Sequence, residues 1–156
     1  KIMKNIGLAI FAILLLVGCE SNDRFKNSLD KPQISQSDIE YFQKLVGDTV
    51  LFTVDQSGLR PEAISILKAQ ADWLKEKKFL PITIEGHADE QGTREYNLAL
   101  GARRATAVRE FLIAKGIEQD RISIVTYGKE RPLRVCSKED CWSKNRRAIT
   151  VVGKKL

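Results

Sequence analysis

Histidine is almost absent from this chain: His87 is the only one in 156 residues. A closed zinc site draws on several nitrogen or sulfur ligands, so a lone histidine beside Asp89 and Glu90 argues against a metal centre. No Ser-His-Asp order is readable in the chain either. Cysteine is scarce too, with Cys19, Cys136 and Cys141 the full set. No internal repeat and no low-complexity stretch is present, which excludes a repeat array. No apolar run reaches the ~20 residues that a membrane-spanning helix needs.

The longest such run, residues 6–17, sits near the N-terminus behind Lys1 and Lys4. A basic start followed by an apolar stretch within the ~7–15 residue range reads as an export signal. The run ends in Leu16-Val17-Gly18-Cys19, which resembles a lipobox: an aliphatic residue, two small residues, then the cysteine that takes the lipid. Residues 1–18 are therefore expected to be a signal peptide and Cys19 a lipidated N-terminus. One acyl chain anchors reversibly and several anchor stably. Glu20 after the cysteine is compatible with delivery to the outer membrane.

Removing Lys1 and Lys4 with the signal lowers the formal charge from +6 to +4. That mildly basic balance suits an anionic polymer or membrane surface without demanding one. Residues 19–34 are polar with no apolar period and read as a flexible tether. Residues 35–156 are enough for one domain. Export implies an oxidising compartment, so a disulfide between Cys136 and Cys141 is the favoured reading. A metal or redox pair there lacks a nearby histidine and the C-x-x-C spacing.

Along the domain, Ile39, Phe42, Leu45 and Val46 recur at helical spacing behind a Ser35 or Ser37 cap. Residues 49–54 are β-branched and aromatic, and read as a strand. Pro61 opens a helix with Ile64, Leu67, Ala71 and Leu74 on one face. Residues 82–85 form a second strand, residues 86–92 a loop, and Thr93 caps a helix whose stripe is Leu98, Ala102, Ala105, Val108 and Leu112. Gly116 stops it. Residues 122–125 and 148–152 are strands, separated by a long loop over 128–144. The class is α+β: a β-α-β-α-β-β order with a short leading helix and helices packed on a small mixed sheet.

The candidate site lies between the loop after the second strand and the helix that follows. Counted at 100° per residue from Leu98, Arg104 falls at the edge of the apolar stripe, beside Leu100 and Phe111, while Arg103 points outward. From that edge Arg104 is expected to lean toward Asp89. A carboxylate and a guanidinium in one cleft suit a zwitterion, the ammonium going to one and a ligand carboxylate to the other. The plain alternative is a structural ion pair, worth ~0–1 kcal/mol if exposed. Arg104→Ala is then expected to stay folded yet lose binding. Arg103 and Arg147 read as solvated, His87 as a structural hydrogen-bonding residue, and Trp73, Trp142 and Phe111 as core or half-core.

Residues 84–93 (IEGHADEQGT), then Tyr96-Asn97, residues 98–100, Arg103-Arg104-Ala105 and Val108, resemble the OmpA-like domain family. So do residues 123–132 (SIVTYGKERP) and 143–149 (SKNRRAI). The resemblance spans roughly residues 50–152, and the lipobox fits the lipid-anchored members. It implies an OmpA-like sandwich that binds peptidoglycan through meso-diaminopimelate in the stem peptide, as an outer-membrane protein facing the periplasm. It carries the ligand contacts onto Asp55, Asp89, Asn97, Leu100, Arg104 and Arg146. The family usually has Phe-Asp where this chain has Val54-Asp55, so one wall of the pocket is more open here. The resemblance also implies a TolB-like periplasmic propeller as a partner, which raises the alternative of a protein-interaction hub. No cofactor and no metal are expected. An enzyme is disfavoured because there is no Ser-His-Asp order, no metal-ligand cluster and no candidate cysteine nucleophile, and a nucleic-acid role is disfavoured by export.

Overall fold

The computed structural model describes residues 34–153; the signal segment 1–18, Cys19 and the tether before Ile34 lie outside the described residues. The first helix, α1 (Gln36–Tyr41), is capped by Ser35, whose Oγ accepts from the Asp38 amide at 3.1 Å. The expected single helix to Val46 instead widens into a π-helical turn, Phe42–Gly47. Of its apolar residues only Phe42 is buried, tilted against the Trp73 ring at 4.8 Å, while Leu45 is exposed.

Strand β1 (Thr49–Leu51) is shorter than the sequence suggested. The Phe52 amide still bonds to the Arg146 carbonyl at 2.9 Å, but beyond it the chain turns away through Asp55, a non-glycine residue at φ 57°. Helix α2 (Pro61–Glu76) starts with proline at its first turn, where a missing N–H does no harm, and buries Ala63, Leu67, Gln70, Ala71 and Leu74. Strand β2 (Ile82–His87) runs two residues further than expected, into the Gly-His motif.

Helix α3 (Arg94–Ala114) is capped by Thr93, whose Oγ1 accepts from the Tyr96 amide at 3.2 Å. It ends at Gly116, whose φ of 94° no side chain would favour. A 3₁₀ turn, Gln119–Arg121, leads into β3 (Ile122–Gly128). The long loop expected after it contains a further helix, α4 (Glu139–Asn145), and β4 (Arg147–Val152) closes the domain.

The sheet order is β1-β4-β2-β3, with β4 antiparallel to both neighbours and β2 parallel to β3. This is the expected α+β architecture, helices on a small mixed sheet. The parallel pair takes α3 as its crossover. Val50, Ile82, Ile84, Ala148 and Val152 form one core with Leu67, Ala71 and Leu74 of α2 and Ala105, Val108 and Leu112 of α3. Helices α2 and α3 therefore share one face of the sheet.

Helix α3 lies unusually close to β2. A Cβ on Gly86 would fall 1.9 Å from the Gly101 carbonyl oxygen, and one on Gly101 would fall 2.4 Å from Thr126 Oγ1. Two glycines thus let backbone meet backbone, and Thr126 Oγ1 adds a bond to the Leu98 carbonyl at 2.9 Å. The close approach turns the first half of α3. Its buried residues are Asn97, Leu100, Gly101 and Arg104 as well as Ala105, Val108 and Leu112, while Leu98 and Ala102 stay half-buried.

Candidate functional site

The start of the β1–α2 loop, the β2–α3 loop and the first turns of α3 meet at one end of the sheet. Val54, Asp55, Asp89, Gln91, Gly92, Tyr96, Asn97 and Leu100 line a cavity of about 210 Å³ there. The local chemistry explains the shape. Asp89 is 7% exposed, and its Oδ1 accepts from the Gln91 amide at 3.1 Å, folding the loop onto its own side chain. Asn97 is buried on α3, and its Nδ2 donates to the Gln91 carbonyl at 2.7 Å. Lys129 Nζ donates to the Gly92 carbonyl at 2.7 Å. Across the cavity, Tyr96 Oη donates to the Asp55 carboxylate.

The cation bonded to Asp89 is Arg146. Its Nη1 donates to Asp89 Oδ2 at 3.1 Å, its Nε to the Phe52 carbonyl at 3.3 Å, and its fork also holds Glu139. Burial acts to lower the Arg146 pKa, but the two carboxylates outweigh it and raise it above the ordinary arginine value.

Arg104 departs from expectation. It is not at the edge of the stripe but wholly buried, and it makes no hydrogen bond to Asp89. Its Nε donates to the Gln56 carbonyl at 2.9 Å, Nη1 to His87 at 2.8 Å and Nη2 to Thr53 at 3.1 Å. The reason is physical: β2 ends at His87 and the chain beyond β1 turns through residues 53–56, so these carbonyls fall at or past the end of the ladder, and a guanidinium has five donors to offer. The group also lies 5.2 Å from the Phe52 ring centroid. Burial lowers its pKa to about 10, opposed by Asp89, so it stays charged at neutral pH. Arg104 is thus a positive charge behind the cavity, not part of its lining.

His87 does not make the structural hydrogen bonds expected of it. The ring is buried, neither nitrogen has a hydrogen-bond partner among the described residues, and it packs on Tyr127 at 5.4 Å. Burial, and then Arg147 and Arg131, push its pKa down to about 4. Arg147, expected to be solvated, is buried, with Nη2 donating to the Arg131 carbonyl at 3.2 Å.

Of the six candidate residues, then, Asp55, Asp89, Asn97 and Leu100 line one cavity, Arg146 reaches it through Asp89, and Arg104 supports it from beneath. Sequence reasoning missed Gln91, Gly92 and Tyr96 as lining residues, although all three stand within the matching motif. It also missed Glu139, for which no local signal exists. Cys136 and Cys141 are joined by a disulfide, with Cα atoms 5.7 Å apart. In charge, the lining offers two carboxylates, a phenol and amides with two cations behind. It suits an ammonium group that arrives with a carboxylate of its own.

Known proteins resemble this chain over most of its length. The OmpA family model matches residues 51–147. A peptidoglycan-associated lipoprotein of Mesorhizobium japonicum is 44% identical over 151 residues, covering 94% of this chain and 90% of that protein. One of Brucella melitensis is 44% identical over 153 residues, covering 95% and 91%. The crystal structure of the peptidoglycan-associated lipoprotein from Burkholderia pseudomallei is 36% identical with a TM-score of 0.68, covering 70% of this chain and 95% of that one. The C-terminal domain of Helicobacter pylori MotB, 21% identical with a TM-score of 0.63 and covering 70% and 87%, shares the fold.

Proposed function

The chain belongs to the OmpA family, and from that premise we propose that it is a lipoprotein that grips peptidoglycan non-covalently through meso-diaminopimelate. Cys19 carries the lipid, residues 19–34 form the tether, and residues 35–156 form the binding domain. The protein would tie the outer membrane to the cell wall, facing the periplasm, as part of a Tol-Pal system. One observation carries the ligand assignment: Asp55 and Asp89 converge on one cavity, with Arg146 bonded to Asp89. The side chain of diaminopimelate ends in a zwitterion, whose ammonium fits the Asp55 and Asp89 carboxylates and whose carboxylate fits the positive charge that Arg104 keeps behind the cavity. Asp55, Asn97, Leu100 and the open wall at Val54 would shape the pocket, and Arg104 would hold its backbone. No catalytic role is assigned to any residue.

The test is co-sedimentation with insoluble peptidoglycan, together with an isotherm against a diaminopimelate stem peptide. The expected result is binding that a lysine stem peptide, lacking the terminal carboxylate, does not reproduce. Equal binding of the two peptides, or wild-type sedimentation of Asp89→Asn, would sink the assignment. Leu133 and Val135, 57% and 87% exposed on the loop that Asn145 holds next to Arg146, favour a protein partner on the same side. A TolB-like propeller is the partner we infer, with peptidoglycan competing for it.

A further inference from the structure

Asp89 shares Arg146 with a second carboxylate that belongs to no motif of the cleft, Glu139. Glu139 opens α4 and lies between Cys136 and Cys141, within the segment the disulfide closes. Little else fixes it there. Residues 131–135 and 137–140 are exposed, so almost no apolar burial holds the segment. Helix α4 has seven residues and no side-chain cap, too short to persist by itself. The Asn145 side chain ties down the flank: Oδ1 accepts from the Leu133 and Arg134 amides at 2.8 and 3.0 Å, and Nδ2 donates to the Arg134 carbonyl at 2.8 Å. Those bonds stop short of Glu139; Ser143 Oγ donates to its carbonyl at 2.8 Å from within the same short helix, and the disulfide is what closes the segment around it.

The two partners of the ion pair differ in freedom. The Arg146 side chain is 5% exposed and the Glu139 side chain 62%. If the segment loosens, Glu139 swings out and Arg146 stays. While Glu139 is in place, one positive charge is divided between two carboxylates, and Asp89 keeps a net negative field toward the cavity. Once it leaves, the guanidinium acts on Asp89 alone and the local balance passes from negative to neutral. An ammonium ligand then loses attraction.

We propose that the Cys136–Cys141 disulfide sets the affinity of the cleft for an ammonium-bearing ligand by holding Glu139 on Arg146. This rests on the cleft being the ligand site described above. The switching step is ordinary exchange: a dithiol gives two electrons and two protons to the S–S bond, which breaks to two thiols, while the dithiol closes to its own disulfide. The hydrogen bond from Arg146 holds the Glu139 carboxyl below its usual range, so it is ionised when the segment is closed.

The experiment titrates the diaminopimelate stem peptide into the full chain, oxidised and then reduced with dithiothreitol, alongside Glu139→Gln, Glu139→Asp and the Cys136→Ser/Cys141→Ser double variant. Reduction and the double variant are expected to weaken binding about three- to five-fold, the size of an exposed ion pair. Glu139→Gln should be equally weak in both redox states, Glu139→Asp should recover part of the loss, and the gap should narrow in high salt. Equal affinity of the oxidised and reduced chains overturns the proposal. A wild-type chain that binds no stem peptide when oxidised overturns the ligand assignment instead. The Arg146 Nε–H resonance then decides this inference: it must shift on reduction in the wild type and not in Glu139→Gln, and an unmoved signal in the wild type rejects it.

Discussion

Arg146 Nη1 donates to Asp89 Oδ2 at 3.1 Å, between side chains that are 5% and 9% exposed. A pair this dry does not behave like a surface ion pair. The carboxylate that would receive the ligand is fixed from behind by one cation, which itself keeps a second carboxylate, Glu139.

Removing the cation should therefore harm the fold more than removing the anion's charge. Arg146→Met leaves Asp89 without its cation and is expected to lower stability by about 3–5 kcal/mol in urea unfolding. Asp89→Asn keeps its loop bond to Gln91 and should stay folded, yet lose about tenfold or more in stem-peptide affinity. A Met variant as stable as wild type would show that the pair is not what holds Asp89.

Arg104 is expected to behave as a structural residue first. Because the buried guanidinium serves three backbone carbonyls, those of Thr53, Gln56 and His87, Arg104→Lys or Arg104→Ala should destabilise by about 2–5 kcal/mol. This reverses the expectation that the alanine variant folds normally and only fails to bind. Guanidinium denaturation of the purified variant decides the matter, and an unchanged midpoint would restore the earlier view.

His87 should make stability fall on mild acidification. Its folded pKa of about 4 lies below the ordinary 6.5, because burial and then Arg147 and Arg131 oppose the charged ring. The unfolded chain therefore takes up the proton first. The contribution is intact above pH 6.5, declines as pH drops toward 4, and below that nothing further is lost. The full span corresponds to about 3 kcal/mol. Urea midpoints across this window should flatten in His87→Asn, and parallel profiles for the two proteins would refute the assignment.

Gly86 should not tolerate even a methyl group. Alanine there would place its Cβ 1.9 Å from a backbone oxygen of α3, which no rotamer change relieves. Gly86→Ala is expected to lower stability by about 1–3 kcal/mol or more, and to weaken ligand binding because α3 carries Tyr96, Asn97 and Leu100. A thermal melt indistinguishable from wild type would contradict the close packing.

Much of the domain was readable from local pattern. The apolar periods located α2 and α3, Thr93 marked a helix start, and alternating β-branched residues marked strands. These signals are local, since cap, turn and burial stripe act within a few residues. The shorter β1, the π-helical turn after Tyr41 and the extra helix α4 were not readable, because packing against distant segments decides them. Phe42 is buried because Trp73 is there to meet it, and α4 persists because Asn145 and the disulfide hold it.

The sequence by itself determined the family, the class of fold and the loop in which Asp89 sits, because a long ordered motif constrains all three. The tertiary structure alone decided which arginine pairs with that aspartate. Helical counting places Arg104 relative to its own axis but says nothing of the carbonyls of Thr53, Gln56 and His87, and those claim it. Arg146 arrives from 57 positions away. The antiparallel register of β2 with β4, which sets Gly86 opposite Ala148, brings it beside the loop after β2. It carries Glu139 and the disulfide segment with it.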